Sequence, residues 1–315
     1  MAGLTAFSMN FDSLGWGFSV KNKDFIDPTF FQIADRFFEF AHAYQFKYTF
    51  FVIGQDLEHP AVAERVKYWS EQGHEIGNHS YTHPQNIGCL SYNEIEREVL
   101  KTHDIITRVC GKEPRGFIAP SWSTSTNLID ILLKNGYLYD TSLVPSYVLW
   151  LAVAQNWWNF KRDPRRKDIL QRKDRLANLI GSRKPYLANE SSLTLRQQEG
   201  LLILPLPVTP LFRWPCWHTL AFALPKAMFH HILKTCLKNL DHFYYLIHPA
   251  DLITLADIPD EYQQMKTIHR LEVPLDQKKQ LYEESLKIIA DRSDRMVTME
   301  EMAQSISTSQ TTVTS

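Results

Sequence analysis

The chain has 315 residues, 44% of them hydrophobic and 22% charged, which suits one large α/β domain with embellishments and does not require two. Its 34 Lys and Arg against 35 Asp and Glu leave a formal net charge of −1, so no global field draws nucleic acid, and no nucleic-acid partner is expected. The four cysteines, Cys89, Cys110, Cys216 and Cys236, are widely spaced and form no C-x-x-C pair; they read as reduced, buried small hydrophobes rather than a disulfide scaffold.

The first stretch, 4–11, is short, apolar and strand-compatible. It lacks a basic leader and soon meets Asp12, so it fails as a signal peptide, and a cytoplasmic protein is expected. Apolar spacing at Phe31, Ala34, Phe37, Phe38 and Ala41 predicts a helix over 30–44. Strand 48–53, helix 61–72 and a short strand 74–77 follow, then a helix from 92 to 109 opened by Ser91 with Glu94 three residues on, a capping box. Segments 116–118, 127–135 and 137–139 continue the alternation. Strands separated by helices of this length predict a parallel sheet or barrel closed by right-handed crossovers.

Between 146 and 200 the rhythm breaks, and an insertion is expected there. A buried strand resumes at 201–206, followed by helix 225–237, strand 243–247 ending at His248, and an outer helix 276–290. Residues 305–315, rich in Ser, Thr and Gln, read as too polar to bury and therefore frayed. The longest apolar run, 148–154, is far short of the roughly 20 residues that span a bilayer, so no transmembrane helix is expected.

The strongest chemical signal is His79-Ser-Tyr-Thr-His83, which follows a short strand and a Gly-Asn turn. Two imidazoles at this spacing share one face of a helical turn and reach one metal ion, although the same spacing also occurs on solvated helices. A hydrolytic metal centre usually takes a third protein ligand. Asp12, at the end of the first predicted strand, would emerge at the sheet's C-terminal edge beside the histidine loop, its plainer reading being an Asp that caps the following loop.

At these residues the chain resembles the polysaccharide deacetylases, also called the NodB-homology or carbohydrate esterase family 4 proteins. The resemblance runs in order through Asn10-Phe-Asp12, the strand at 47–54, the motif at 73–83, Arg115-Gly-Phe-Ile-Ala-Pro-Ser-Trp122, the segment at 136–143, and Leu246-Ile-His-Pro249. It implies an irregular (β/α) barrel of the NodB-homology type, here with a helical insertion. The barrel would cover 1–256 with the insertion at 146–200, and a C-terminal helical extension with a polar tail would cover 257–315.

The resemblance further implies that Asp12, His79 and His83 hold a divalent metal, with zinc preferred and cobalt, nickel or manganese as alternatives. Such an ion polarises an amide carbonyl and lowers the pKa of water from near 16 to about 7. His248 matches the acid that protonates the leaving amine, Arg115 the arginine that orients the catalytic carboxylate, and Asp140 the partner of the acid histidine. Trp122 matches a position lining the substrate groove. Each also has a plainer reading, as an ion-pair or packing residue.

Family members commonly carry two carboxylates in the first motif; this chain has one. In the spaced register Asn10 occupies the base position and Asp12 the ligand position; in the adjacent register Asp12 is the base and Ser13 the ligand. The spaced register is preferred because serine is a poor divalent ligand. An amide is not basic at neutral pH, so the expected loss of rate is on the order of 10² to 10⁴.

Trp150, Trp157 and Trp158, followed by Lys161, Arg162, Arg165, Arg166, Lys167, Arg172, Lys173 and Arg175, have the composition of a segment that meets a bilayer interface and anionic headgroups; a helical hairpin with a solvated basic face is the plainer alternative. The leading expectation is a metal-dependent deacetylase or deformylase of an amino sugar, linked in one version to undecaprenyl phosphate. In that version the protein sits peripherally on the inner leaflet through 147–175. The alternatives are a hydrolase of a small non-sugar amide and a catalytically weakened metal- and glycan-binding protein.

Overall fold

The computed structural model describes residues 2–17, 26–148, 178, 181–258 and 269–313. Among these, nine strands form one curled sheet: β1 (Ala2–Phe11), β2 (Tyr48–Val52), β3 (Glu75–Asn78), β4 (Gly116–Phe117), β5 (Tyr139–Asp140), β6 (Tyr186–Ala188), β7 (Leu201–Ile203), β8 (His242–Ile247) and β9 (Ser293–Val297). Their order is β6-β7-β5-β4-β3-β2-β1-β8, with β9 also on β1. Every pairing is parallel except β6 with β7. The α-helices with described bounds are α1 (Leu14–Gly17), α2 (Gln32–Ala43), α3 (Pro60–Glu71), α4 (Tyr92–Cys110), α5 (Thr126–Lys134), α6 (Lys226–Asn239), α7 (Leu275–Ala290) and α8 (Met299–Val313), and short 3-10 turns join several of them. This is the half-barrel of the irregular (β/α) type that the sequence predicts.

Side-chain alternation along β1 organises the molecule, because successive residues of a strand face opposite sides. Phe7, Met9 and Phe11 point outward into the core beneath the helices, against Ile33 and Phe37 of α2, Phe229 of α6 and Tyr282 of α7. Ala6 faces inward with Phe51, Ile118, Tyr139 and Leu246. The inward series continues through Ser8 to Asn10, so the concave face turns polar toward the strand's C-terminal end. Open sheets of parallel strands place their binding sites at that end.

The C-terminal residues depart from expectation. The stretch after 290 adds β9, in register with β1 from Ala2 to Ala6, and then helix α8, which runs to Val313 where a frayed tail was expected. Met299, Met302, Ala303 and Ile306, spaced for one helical face, fill the concave side of the sheet; full burial of a large apolar side chain stabilises by about 1.5–3 kcal/mol. The N-terminus of α8 is anchored by Glu75, whose buried carboxylate accepts the Glu300 N–H (2.8 Å), the Thr49 hydroxyl (2.7 Å) and the Tyr139 hydroxyl (2.7 Å). The Ser/Thr/Gln composition after 304 hides this, because only Ile306 of the four packed residues lies within it.

Strand β6 lies within the segment read as an insertion and pairs with β7. The stretch carrying Trp150, Trp157, Trp158 and the basic residues to Arg175 falls outside the described residues. Among the described residues no helix is long and apolar enough to cross a membrane. Cys216 and Cys236 are buried and free as expected, whereas Cys89 and Cys110 are half-buried.

Candidate metal centre

Strand β3 delivers the histidine loop. Gly77 has no tolerance for a side chain, since a Cβ there would stand 2.5 Å from the Phe51 ring and 3.2 Å from the Gly116 carbonyl oxygen. This close approach sets the strand against β2 and β4. Asn78 then locks the exit: its amide donates to the Val99 carbonyl (2.9 Å) and lies 2.6 Å from the Tyr137 hydroxyl, while its Oδ1 accepts the Ser80 N–H (2.8 Å).

Residues 79–83 do not form the helical turn that the spacing suggests. Ser80 (φ 65°) and His83 (φ 56°) are left-handed, and the loop is pinned from α4 by Glu98, whose carboxylate accepts the Tyr81 and Thr82 N–H groups at 2.9 and 2.7 Å. The two imidazoles converge all the same.

The His79 ring places Nδ1 2.7 Å from the Ile118 carbonyl oxygen, which can only accept, so Nδ1 carries the proton and Nε2 presents a lone pair. Nε2 of His79 lies 3.2 Å from Nε2 of His83, and Asp12 Oδ1 is 3.3 Å from each. A tetrahedral ion bound at about 2.0–2.1 Å holds its ligand atoms about 3.3 Å apart. The triangle of donors therefore matches a small divalent cation in size and in chemistry. His79 and His83 are 1% and 5% exposed, and the Trp16 ring lies 3.9 Å from that of His83; Asp12 retains a half-exposed side, which leaves the group open to ligands. Burial alone would raise the Asp12 pKa, but hydrogen bonds and charge from His79 and His83 hold it well below the usual carboxylate range. Burial lowers the His83 pKa. An ionised carboxylate and neutral imidazole are the forms that ligate metals.

Asn10 stands two residues before Asp12 on the same concave face, 5% exposed, and its Oδ1 is buried with no hydrogen-bond partner among the described residues. Ser13 is not part of the triangle; its hydroxyl accepts the Trp16 N–H at 3.2 Å. His248 follows β8, whose Ile247 pairs with Met9, and so stands beside Asn10. Its pKa is lowered by burial first, with the charges of Asp12, Asp251, Arg270 and His79 acting on it as well.

Two expected residues lie elsewhere. Arg115 precedes β4, so it stands at the N-terminal edge of the sheet, facing Glu113 at 4.0 Å with its side chain 39% exposed. Asp140 ends β5 in register with Phe117 and Ile203 and shares their face, beneath the helices. Its carboxylate accepts from Ser142 Oγ (2.5 Å) and N (3.1 Å), and burial pushes its pKa up to about 7.

The carboxylate beside His248 is Asp251, which is fully buried. It accepts the His248 N–H (2.9 Å) and the Thr219 hydroxyl (2.9 Å), and Arg270 lies 3.5 Å away. Thr219 Oγ1 in turn lies 3.3 Å from His248 Nδ1. Burial opposes ionisation of Asp251, yet Arg270, His218 and His248 bring its pKa below the ordinary value. The three-residue spacing from His248 to Asp251 was the only signal for it in the sequence; nothing marked Thr219 or Trp16. Trp122 does line this edge, following the left-handed Ser121 and itself left-handed, with its ring 5.5 Å from that of Trp217.

Comparison with known proteins bears on this geometry. Residues 27–139 match the polysaccharide deacetylase family model. A peptidoglycan deacetylase of Helicobacter pylori is 34% identical over 119 residues, 36% of this chain and 39% of that protein. The peptidoglycan-N-acetylglucosamine deacetylase of Bacillus cereus is 29% identical over 125 residues, 39% of this chain and 41% of that protein. The chain thus matches about two fifths of the length of these curated relatives. A solved structure from Mycobacterium smegmatis, described as of the polysaccharide deacetylase type, shares the fold with a TM-score of 0.59 at 15% identity, covering 98% of this chain and 91% of that one.

Proposed function

We propose that this chain, which carries a polysaccharide deacetylase domain, hydrolyses an N-acyl group from an amino sugar with the help of a divalent metal held by Asp12, His79 and His83. The observation that carries the reading is the triangle of donor atoms 3.2–3.3 Å apart at the C-terminal edge of the sheet, with His248 on the neighbouring strand. Zinc fits the two imidazoles and one carboxylate best, with cobalt, nickel and manganese next. A bound ion would supply Lewis-acid polarisation of the acyl carbonyl and acidify water at the site.

The protein's own groups do the rest. His248, one strand away from the triangle, gives a proton to the leaving amine nitrogen. Asp251, rather than Asp140, stands behind it and favours the imidazolium that the reaction requires. Trp122, whose ring packs on the buried Trp217, offers an aromatic surface for a sugar ring. Asn10 occupies the position from which a carboxylate would take the water's proton, and its amide cannot do so, which lowers the rate. That same residue favours a second reading, in which the protein binds metal and glycan and turns over weakly. For the substrate, we favour a lipid-linked amino sugar, with acetyl or formyl as the acyl group; the aromatic and basic composition of 147–175 supports this.

The test is elemental analysis of the purified protein beside Asp12→Ala and His79→Ala, combined with acetate and formate release from N-acylated glucosamine oligomers. About one ion per chain, lost in both variants, and slow release that needs the ion would uphold the proposal. An unaltered metal content in both variants, or no metal after incubation with zinc or cobalt, would sink it.

A further inference from the structure

Leu211 and Phe212 are 82% and 70% exposed, and they are adjacent in sequence. They crown a hairpin closed by the Val208–Pro215 bridge, the Thr209 N–H donating to the Trp214 carbonyl (3.0 Å) and the Trp214 N–H donating to the Thr209 hydroxyl (3.0 Å). The root is tied down on several sides. Arg183 donates to the Val208 carbonyl (3.1 Å), Arg213 to the Gly181 carbonyl (2.9 Å), and Ser146 to the Arg213 carbonyl (2.8 Å). With its root held, the tip is fixed outward and cannot fold its two apolar side chains back onto the protein.

The hairpin leaves the C-terminal end of the sheet after β7 and returns at Trp217, which bridges to Leu246 of β8 and packs on Trp122. Leu211 and Phe212 therefore project from the same edge that carries Asp12, His79, His83 and His248. Around the root are the cations Arg183, Lys184 and Arg213, and the Arg213 guanidinium lies 4.9 Å from the centre of the half-exposed Tyr147 ring.

We propose that the hairpin tip, Leu211 and Phe212, inserts into the interface of an anionic lipid bilayer and sets the mouth of the site against the membrane. A bilayer fits the observations better than a second protein does. A stable protein interface needs about 800 Å² on each side and a complementary hollow, which a convex two-residue tip does not provide. The headgroup and acyl boundary instead accepts convex apolar groups, and Arg and Tyr flanking them are the residues that sit at headgroup level. Cations at the root add attraction for anionic lipid. The purpose of this contact rests on the lipid-linked substrate proposed above; its test does not, because vesicle binding needs no turnover.

The experiment is co-sedimentation of the full chain with vesicles of phosphatidylcholine, with and without phosphatidylglycerol, for wild type and the double variant Leu211→Ser/Phe212→Ser. Because both side chains are exposed, the double variant should keep the wild-type melting temperature and metal content. Wild type should sediment with phosphatidylglycerol vesicles, more weakly at high salt, and the double variant should bind at least about tenfold less, since two apolar side chains no longer leave water. Equal binding of the two proteins, or no binding by wild type, overturns the proposal. So does a wild-type dimer in light scattering that the double variant abolishes, because the tip would then be covered by a second copy.

Discussion

Replacing Asn10 by Asp puts a carboxylate on the concave face two residues before Asp12, with almost no change in shape. The Asn10 Oδ1 is already buried without a hydrogen-bond partner among the described residues, so the oxygen kept by the substitution loses no protein contact. The new carboxylate has two opposing influences. Burial and the charge of Asp12 would hold the new carboxylate toward its protonated form, and a divalent ion held as proposed by Asp12, His79 and His83 would favour the ionised form that can act as a base. General-base catalysis contributes about 10²- to 10⁴-fold, which at 1.36 kcal/mol per tenfold is about 3–5 kcal/mol of barrier. Release of acetate from N-acetylglucosamine oligomers by zinc-loaded protein, wild type against Asn10→Asp, should show kcat rising at least about 10²-fold while KM changes little. A gain below about threefold, with metal content and melting temperature unaltered, would refute the assignment of Asn10 to the base position.

Asp251→Asn should move the pH dependence of that restored activity, because it removes the negative charge behind His248, whereas Asp140→Asn should leave the profile in place; the opposite pattern would return Asp140 to the site. Burial pushes the Glu75 pKa from 4.5 up to about 7, so between those values the folded state binds a proton that the unfolded chain has released. The stability from this group is complete below about pH 4.5, is lost as pH rises through about 7, and amounts to about 3 kcal/mol at 1.36 kcal/mol per unit. Urea unfolding at pH 5 and pH 8 should show a smaller difference for Glu75→Gln than for wild type, and an equal difference would contradict the burial argument. Gly116→Ala would place a Cβ 2.1 Å from the Tyr139 ring, and overpacking of this kind costs about 1–3 kcal/mol or more, read as a lower urea midpoint.

Much of this protein was legible along the chain. The alternation of Phe7, Met9 and Phe11 with Ala6, Ser8 and Asn10 makes β1 a two-sided strand, and the period of two carries Asn10 and Asp12 to one face without help from the rest of the fold. The four-residue spacing from His79 to His83 is local in the sequence, and so is the rhythm of strand and helix up to 140, although Gly77 and Asn78 end β3 instead of forming the expected turn. These features depend on neighbours within a few residues, where steric and hydrogen-bonding rules act directly.

Other features depended on contacts between distant segments. Strand β4 is two residues long, so a single boundary decided that Arg115 stands at the N-terminal edge rather than beside Asp12, His79 and His83. In β5 the face assigned to Asp140 followed from its register with Phe117 and Ile203, which no periodicity in two residues could fix. Thr219 meets Asp251 across 32 residues, and Glu75 meets the Glu300 N–H across 225. Such pairings are chosen by how the sheet curls and by which buried polar groups must be satisfied once water is excluded, and that requirement arises only in the folded chain.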